Sequence, residues 1–310
     1  MKPDEIIRWL LEGDVAIQNQ VHNDLLGHEQ GRLRQRIETE GWGAQFLALR
    51  RDDGHWGQRY YFPKWTSTHY TLLDLKNLGI APDQPQIRAS VAMVVRDEIG
   101  QDGGINPHVT LPESDVCLTG MVLNYAAYFG IAEDNLKLLV DFLLTEWMPD
   151  GGFNCDSTYR PGVVHSSLHT TLSVAEGIRE YVRKGNTYRS GELLEAEAAC
   201  REFMLQHRLF KSDRTGEIID REFIMLSYPS RWRYDILRAL DYFQSAAVDY
   251  DPRMEDALEV IFKKRRQDGT WPLQARHPGQ THFEMEKSGQ PSRWNTLRVL
   301  RVWKHFQISA

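Results

Sequence analysis

An aspartate-glycine turn recurs along this chain at nearly equal spacing, and a chain built that way folds as a series of equivalent units packed on one another. The copies are Arg51-Asp52-Asp53-Gly54-His55-Trp56-Gly57, Gln101-Asp102-Gly103-Gly104-Ile105, Pro149-Asp150-Gly151-Gly152-Phe153 and Gln267-Asp268-Gly269-Thr270-Trp271, with a weaker one at Thr215-Gly216-Glu217-Ile218. The first three follow one another at about fifty residues, and the last lies roughly two longer intervals on. Between the turns, apolar residues recur with helical period, as in residues 70–78 and 121–129. Both of these runs end in Gly-Ile, at Gly79-Ile80 and Gly130-Ile131, as a helix closed by a left-handed glycine does. Late in the chain, Arg233-Tyr234-Asp235-Ile236-Leu237 matches Arg293-Trp294-Asn295-Thr296-Leu297, again one repeat apart.

Each repeat therefore reads as two helices, and helix pairs of this length bury a continuous core only by packing side by side, in an open superhelix or a closed ring. The expectation is the closed ring: an all-α, α/α toroid forming one domain over residues 1–310. Residues 1–44 lack the turn and read as helices over 14–26 and 29–39, which makes them an N-terminal helical cap.

With 41% apolar and 11% aromatic residues, 310 residues supply a large core. A formal charge of −6 with no basic stripe excludes a nucleic-acid or anionic-membrane surface, so the expected partner is a small molecule or a protein. No run approaches the length of a membrane span, and the opening residues lead into an amphipathic stretch rather than a cleavable apolar core. The expected location is cytoplasmic. Three unevenly spaced cysteines, Cys117, Cys155 and Cys200, suit reduced thiols better than a disulfide framework.

Asp115 and Cys117 stand one residue apart just before the run 121–129, hence at a helix N-terminus, where the dipole favours a thiolate. His169 opens the next such helix, about one repeat on, and His165 is the alternative to it, either as ligand or as a group behind the ligand. Carboxylate, thiolate and imidazole together form a donor set that zinc accepts, and three protein ligands leave one place open for chemistry.

The stretch Asp115-Val116-Cys117-Leu118-Thr119-Gly120-Met121-Val122-Leu123, then Asp150-Gly151-Gly152-Phe153, then His169-Thr170 with Val174-Ala175, resembles the zinc-binding region of the protein prenyltransferase β subunits over residues 113–178. Across most of the chain the repeat pattern is similar to the wider superfamily of terpene cyclases, including the squalene-hopene cyclases, and protein prenyltransferases. The resemblance implies an α/α toroid with a central cavity, and zinc (Zn2+) at Asp115, Cys117 and His169. It also implies that the metal holds a substrate thiolate for attack on an allylic diphosphate. The family places basic residues six and three positions before the zinc aspartate, where this chain has Val109 and Pro112. Lys64, one repeat before Asp115, falls near the family's diphosphate-contacting histidine, and Arg231, Arg233 and Arg293 at later helix starts are the other cations available to an anion. The Asp-x-Asp-Asp acid of the protonating cyclases is absent, and Asp52-Asp53 belongs to a turn.

Trp56, Tyr60 and Trp65, with Tyr61 and Phe62 between them, concentrate aromatic surface in the first repeat and are candidates to line an apolar pocket. Near the C-terminus, Glu284 or Glu286 is a candidate general base. Three functions fit these residues. One is a zinc-dependent, prenyltransferase-like transferase acting on a small-molecule or thiol substrate, with an isoprenoid as candidate partner. Another is a zinc hydrolase or lyase using the open place for water. The third is a non-enzymatic toroid used as a binding module, with the metal either absent or structural and closed by His165 as fourth ligand.

Overall fold

A computed structural model of the protein describes residues 2–107, 111–160 and 162–308. Val109, at one of the positions where the family carries a basic residue, lies outside them. The fold is all-α. In chain order the helices are α1 (Pro3–Leu11), α2 (Val15–Gln20), α3 (Gly31–Arg36), α4 (Gly41–Ala48), α5 (Thr68–Leu78), α6 (Pro85–Asp97), α7 (Val116–Tyr128), α8 (Lys137–Thr145), α9 (Asp156–Tyr159), α10 (Leu168–Arg183), α11 (Ser190–Gln206), α12 (Ile236–Ser245), α13 (Glu255–Lys263) and α14 (Arg293–Phe306). A two-residue antiparallel pair, β1 (Trp271–Pro272) with β2 (Pro291–Ser292), sits before α14. Among the described residues no helix is long and apolar enough to cross a membrane.

The recurring turn has one geometry. Gly54, Gly103, Gly151 and Gly269 have φ of 88°, 90°, 95° and 89°, a left-handed conformation that glycine adopts without steric cost. At three of the turns the aspartate folds the chain back on itself: Asp53, Asp102 and Asp268 each accept the N–H two residues on, from His55, Gly104 and Thr270 at 3.0, 3.2 and 2.9 Å. The residue that leaves each of these four turns then buries its side chain and donates its N–H to a threonine hydroxyl in the first turn of a later helix, α5, α7, α10 or α14. The pairs are Trp56 with Thr68 (3.1 Å), Ile105 with Thr119 (2.8 Å), Phe153 with Thr171 (3.0 Å) and Trp271 with Thr296 (3.0 Å). A buried N–H must be satisfied, so this bond ties every turn to one helical register. Counting back from each threonine makes Lys64, Asp115, Ser167 and Ser292 equivalent, and likewise Thr66, Cys117, His169 and Trp294.

The chain divides into two compact units. One comprises residues 50–76 and 82–204 and holds the first three turns. Within it α7 and α10 pack directly, because neither helix carries a side chain at the crossing. A Cβ on Gly177 would lie 2.3 Å from the Gly120 carbonyl oxygen, and one on Gly120 would lie 2.8 Å from Val174 Cα.

The other unit comprises residues 1–49, 77–81 and 205–310. Its N-terminal helices and α12 pack with α14: Arg301 bonds Asp24 at 3.0 Å and Asp241 of α12 at 2.5 Å, and Arg293 Nε donates to the Trp9 carbonyl at 2.9 Å. The helix expected over 14–26 is α2 continued by a π-helical turn (Val21–Leu26), capped by Asp14 and closed by Gly27 at φ 70°. That expected over 29–39 is shorter, Gly31–Arg36.

Because the α7–α10 crossing is set by backbone contact, Gly177→Ala is expected to destabilise by about 1–3 kcal/mol through overpacking. Gly191→Ala, in α11 with open space around the new methyl, is expected to be neutral or slightly stabilising. Thermal melts of the two variants check this, and equal melting temperatures would contradict it.

Candidate metal centre

Asp115 is the N-cap of α7, with Oδ1 accepting the Leu118 N–H at 2.8 Å. Its own N–H donates to the Ile105 carbonyl at 2.9 Å, and the Thr119 hydroxyl donates to its carbonyl at 2.8 Å. The second turn thereby fixes where this carboxylate points. Cys117 follows, buried in the first turn of α7. Cys155 arrives from elsewhere in the chain, on the loop that leaves the third turn and just before α9. The Cys117 N–H donates to Cys155 Sγ at 3.2 Å, the Thr170 hydroxyl donates to the same sulfur at 3.3 Å, and the Cys155 thiol donates to Asp115 Oδ1 at 3.3 Å. One ligand atom from each of Asp115, Cys117 and Cys155 lies within 4.8 Å of the others.

His169, the equivalent of Cys117 one repeat on, is half-buried in the first turn of α10, and its ring nitrogens lie outside that 4.8 Å group. His165 is exposed, with Nδ1 3.8 Å from Asp150 Oδ2. The member of this group that sequence reasoning did not single out is Cys155. Its signal was its place directly after the third turn, in Asp150-Gly151-Gly152-Phe153-Asn154-Cys155.

The group fits a divalent, thiophilic ion. Zinc–sulfur bonds of about 2.3 Å place tetrahedral donors about 3.8 Å apart, so a contraction of about 1 Å gathers the three atoms around one ion. The Cys117 side chain hydrogen-bonded to it, then burial, then the negative charge of Asp115 and Cys117 push the Cys155 thiol well above the ordinary range. Three groups that can each become an anion crowd one place, and a divalent cation offsets that repulsion.

A group of aromatic rings lies within electrostatic reach of this cluster. Tyr61 and Tyr70 are joined through their hydroxyls at 3.2 Å, and Tyr60 bonds His69 Nδ1 at 3.0 Å. Burial raises the phenols of Tyr61 and Tyr70 above their usual range, and the charges of Asp115 and Cys117 raise them further, which places both rings within electrostatic reach of the cluster. Trp65 packs on Tyr70 with ring centroids 4.9 Å apart, and the exposed Lys64 holds Nζ 5.0 Å from the Trp65 ring and 5.7 Å from that of Tyr61. Trp56 and Tyr60 are buried in the interior of their unit.

The remaining candidates lie in the other unit. Arg231 is buried with φ 59°, and with Tyr228, Arg276, His282 and Glu286 it lines a cavity of about 20 Å³, room for about one water. Arg276 pairs with Glu284 at 3.0 Å, Arg233 with Glu222, and Arg293 lies 4.6 Å over the Trp9 ring. Glu286 accepts the Ser292 hydroxyl and the Trp294 N–H (3.2 Å), so its carboxylate anchors the start of α14.

No protein-family model matches the chain, and no curated protein matches it. Among solved structures the chain is similar to the type II terpene cyclase MstE from Scytonema. One variant of it, in complex with the product merosterolic acid A, shares 15% identity and a TM-score of 0.34, with 93% of this chain and 97% of that chain covered. A second variant, in complex with the substrate geranylgeranyl dihydroxybenzoate, shares 13% identity and a TM-score of 0.32, with 93% and 96% covered.

Burial, and then the charge of Arg231, lower the His282 imidazole from 6.5 to about 4. The unfolded chain therefore takes up this proton below about pH 6.5 and the folded chain only near 4. The neutral imidazole's contribution to stability is complete above 6.5 and is lost as pH falls towards 4. Glu286, whose carboxyl burial raises, acts in the opposite sense: its folded form keeps a proton that the unfolded chain has released. Between pH 7 and pH 5 the melting temperature of His282→Gln is expected to fall less than that of the parent protein. Parallel pH profiles would refute the assignment.

Proposed function

We propose that this protein is a zinc-dependent, prenyltransferase-like enzyme acting on an apolar small molecule or thiol, with an isoprenoid as the partner of choice. The observation that carries the reading is the convergence of Asp115, Cys117 and Cys155 within 4.8 Å of one another, with Tyr61 and Tyr70 in electrostatic reach. Zinc in such a place supplies a Lewis acid that keeps a substrate sulfur in its nucleophilic thiolate form at neutral pH.

The chain's own residues supply the rest. Asp115 is oriented by the Leu118 N–H it accepts, so one carboxylate oxygen is fixed by the helix end. Tyr61, Tyr70 and Trp65 offer rings to an apolar chain, and burial keeps both phenols protonated, so they act as hydrogen-bond donors and not as bases. Lys64, exposed beside those rings, is the cation placed to meet an anionic head group; Pro112, at the other position where the family carries a basic residue, offers none.

Metal analysis of the purified protein is expected to find about one zinc per chain, and Cys117→Ser and Asp115→Ala to weaken binding at least about tenfold. Affinity is expected to rise with pH, because a thiol must lose its proton to bind. Titration calorimetry of the zinc-loaded protein with farnesyl and geranylgeranyl diphosphate is expected to show binding that Lys64→Ala weakens. No heat with either ligand would rule out the transferase reading.

A further inference from the structure

We infer that Cys155 is a metal ligand, so that the centre is a carboxylate with two thiolates in which a loop cysteine takes the third place. The inference rests on the zinc reading above and specifies its donors. Three features of the geometry single Cys155 out. Its sulfur lies within 4.8 Å of a carboxylate oxygen of Asp115 and of Cys117 Sγ, whereas no ring nitrogen of His169 belongs to that group. Two donors, the Cys117 N–H and the Thr170 hydroxyl, are aimed at this sulfur at 3.2 and 3.3 Å, and its own thiol points at Asp115 Oδ1 at 3.3 Å, so a cation that displaces that proton meets a sulfur already held by two donors. The loop is itself held: the Cys155 N–H donates back to the Thr170 hydroxyl at 3.3 Å, and the N–H of Phe153, two residues earlier, donates to Thr171 at 3.0 Å. The sulfur is thus presented by backbone bonds to α10 and not by a mobile side chain.

Two consequences follow. A set of two thiolates and a carboxylate selects a thiophilic divalent ion over magnesium, calcium or manganese. The protein also contributes three donors, one from each of Asp115, Cys117 and Cys155, and a tetrahedral ion keeps its fourth place for substrate.

The test uses the full chain loaded with cobalt(II) as a spectroscopic stand-in for zinc. The near-ultraviolet thiolate-to-cobalt charge-transfer band is expected to drop to about half in Cys155→Ser and equally in Cys117→Ser. Cys200→Ser, at a buried cysteine of α11, is expected to leave it at full height. X-ray absorption of the unmodified zinc protein, which needs no variant to fold, is expected to show two sulfur neighbours at about 2.3 Å. One sulfur neighbour, or a full band in Cys155→Ser, overturns the inference while leaving zinc binding intact. If the parent protein binds neither cobalt nor zinc, the metal reading itself falls and Cys155 with it.

Discussion

The bond on which the structure depends is the one between the backbone N–H leaving each aspartate-glycine turn and a threonine hydroxyl in the first turn of a later helix. It occurs at Trp56, Ile105, Phe153 and Trp271, with donor–acceptor distances between 2.8 and 3.1 Å. A buried amide left without an acceptor costs about 1–3 kcal/mol, so the threonine is required wherever the turn is docked. The glycine lets the chain reverse, at three of the four turns the aspartate holds the reversal, and the residue that leaves the turn buries its side chain. One short bond then transmits the position of the turn to the whole helix. Equivalence between repeats is therefore a matter of atomic register and not only of similar composition.

That register decides what stands at each helix entrance. Lys64, Asp115, Ser167 and Ser292 occupy one position of the repeat, and Thr66, Cys117, His169 and Trp294 another. The same backbone location thus carries a cation, an N-capping carboxylate and two hydroxyls, or a hydroxyl, a thiol, an imidazole and an indole. Local chemistry diversifies while the scaffold repeats. Asp115 illustrates the economy of the arrangement, because the interactions that make it an N-cap also aim its carboxylate at Cys155.

Much of this was legible in the primary structure. The turns, the glycines that close helices at 79 and 130, and the placement of Asp115 and Cys117 at a helix start all rest on interactions between residues a few positions apart. Cys155 was not legible as a partner of Cys117. The two are separated by a helical pair and a turn, and no periodicity relates a helix residue to a loop residue. Trp56, Tyr60 and Trp65 looked alike as an aromatic cluster, yet Trp56 and Tyr60 are interior while Trp65 is half-buried beside Tyr70 and Lys64. Glu286 read as a candidate base because it stands on the loop before the last helix start, and its hydrogen bonds tie it to the start of α14.

By itself the sequence determined the repeat, the helices and the residue type at each helix entrance, because turn geometry, capping and apolar periodicity are short-range properties of the chain. Only the tertiary structure decided which donors meet. The side-chain-free crossing of α7 and α10 at Gly120 and Gly177 brings two repeats to backbone contact, and hydrogen bonds from the loop after the third turn to Thr170 and Thr171 on α10 hold Cys155 at the start of α7. That convergence depends on packing distance and hydrogen-bond geometry across separate elements, quantities that no local pattern of residues encodes.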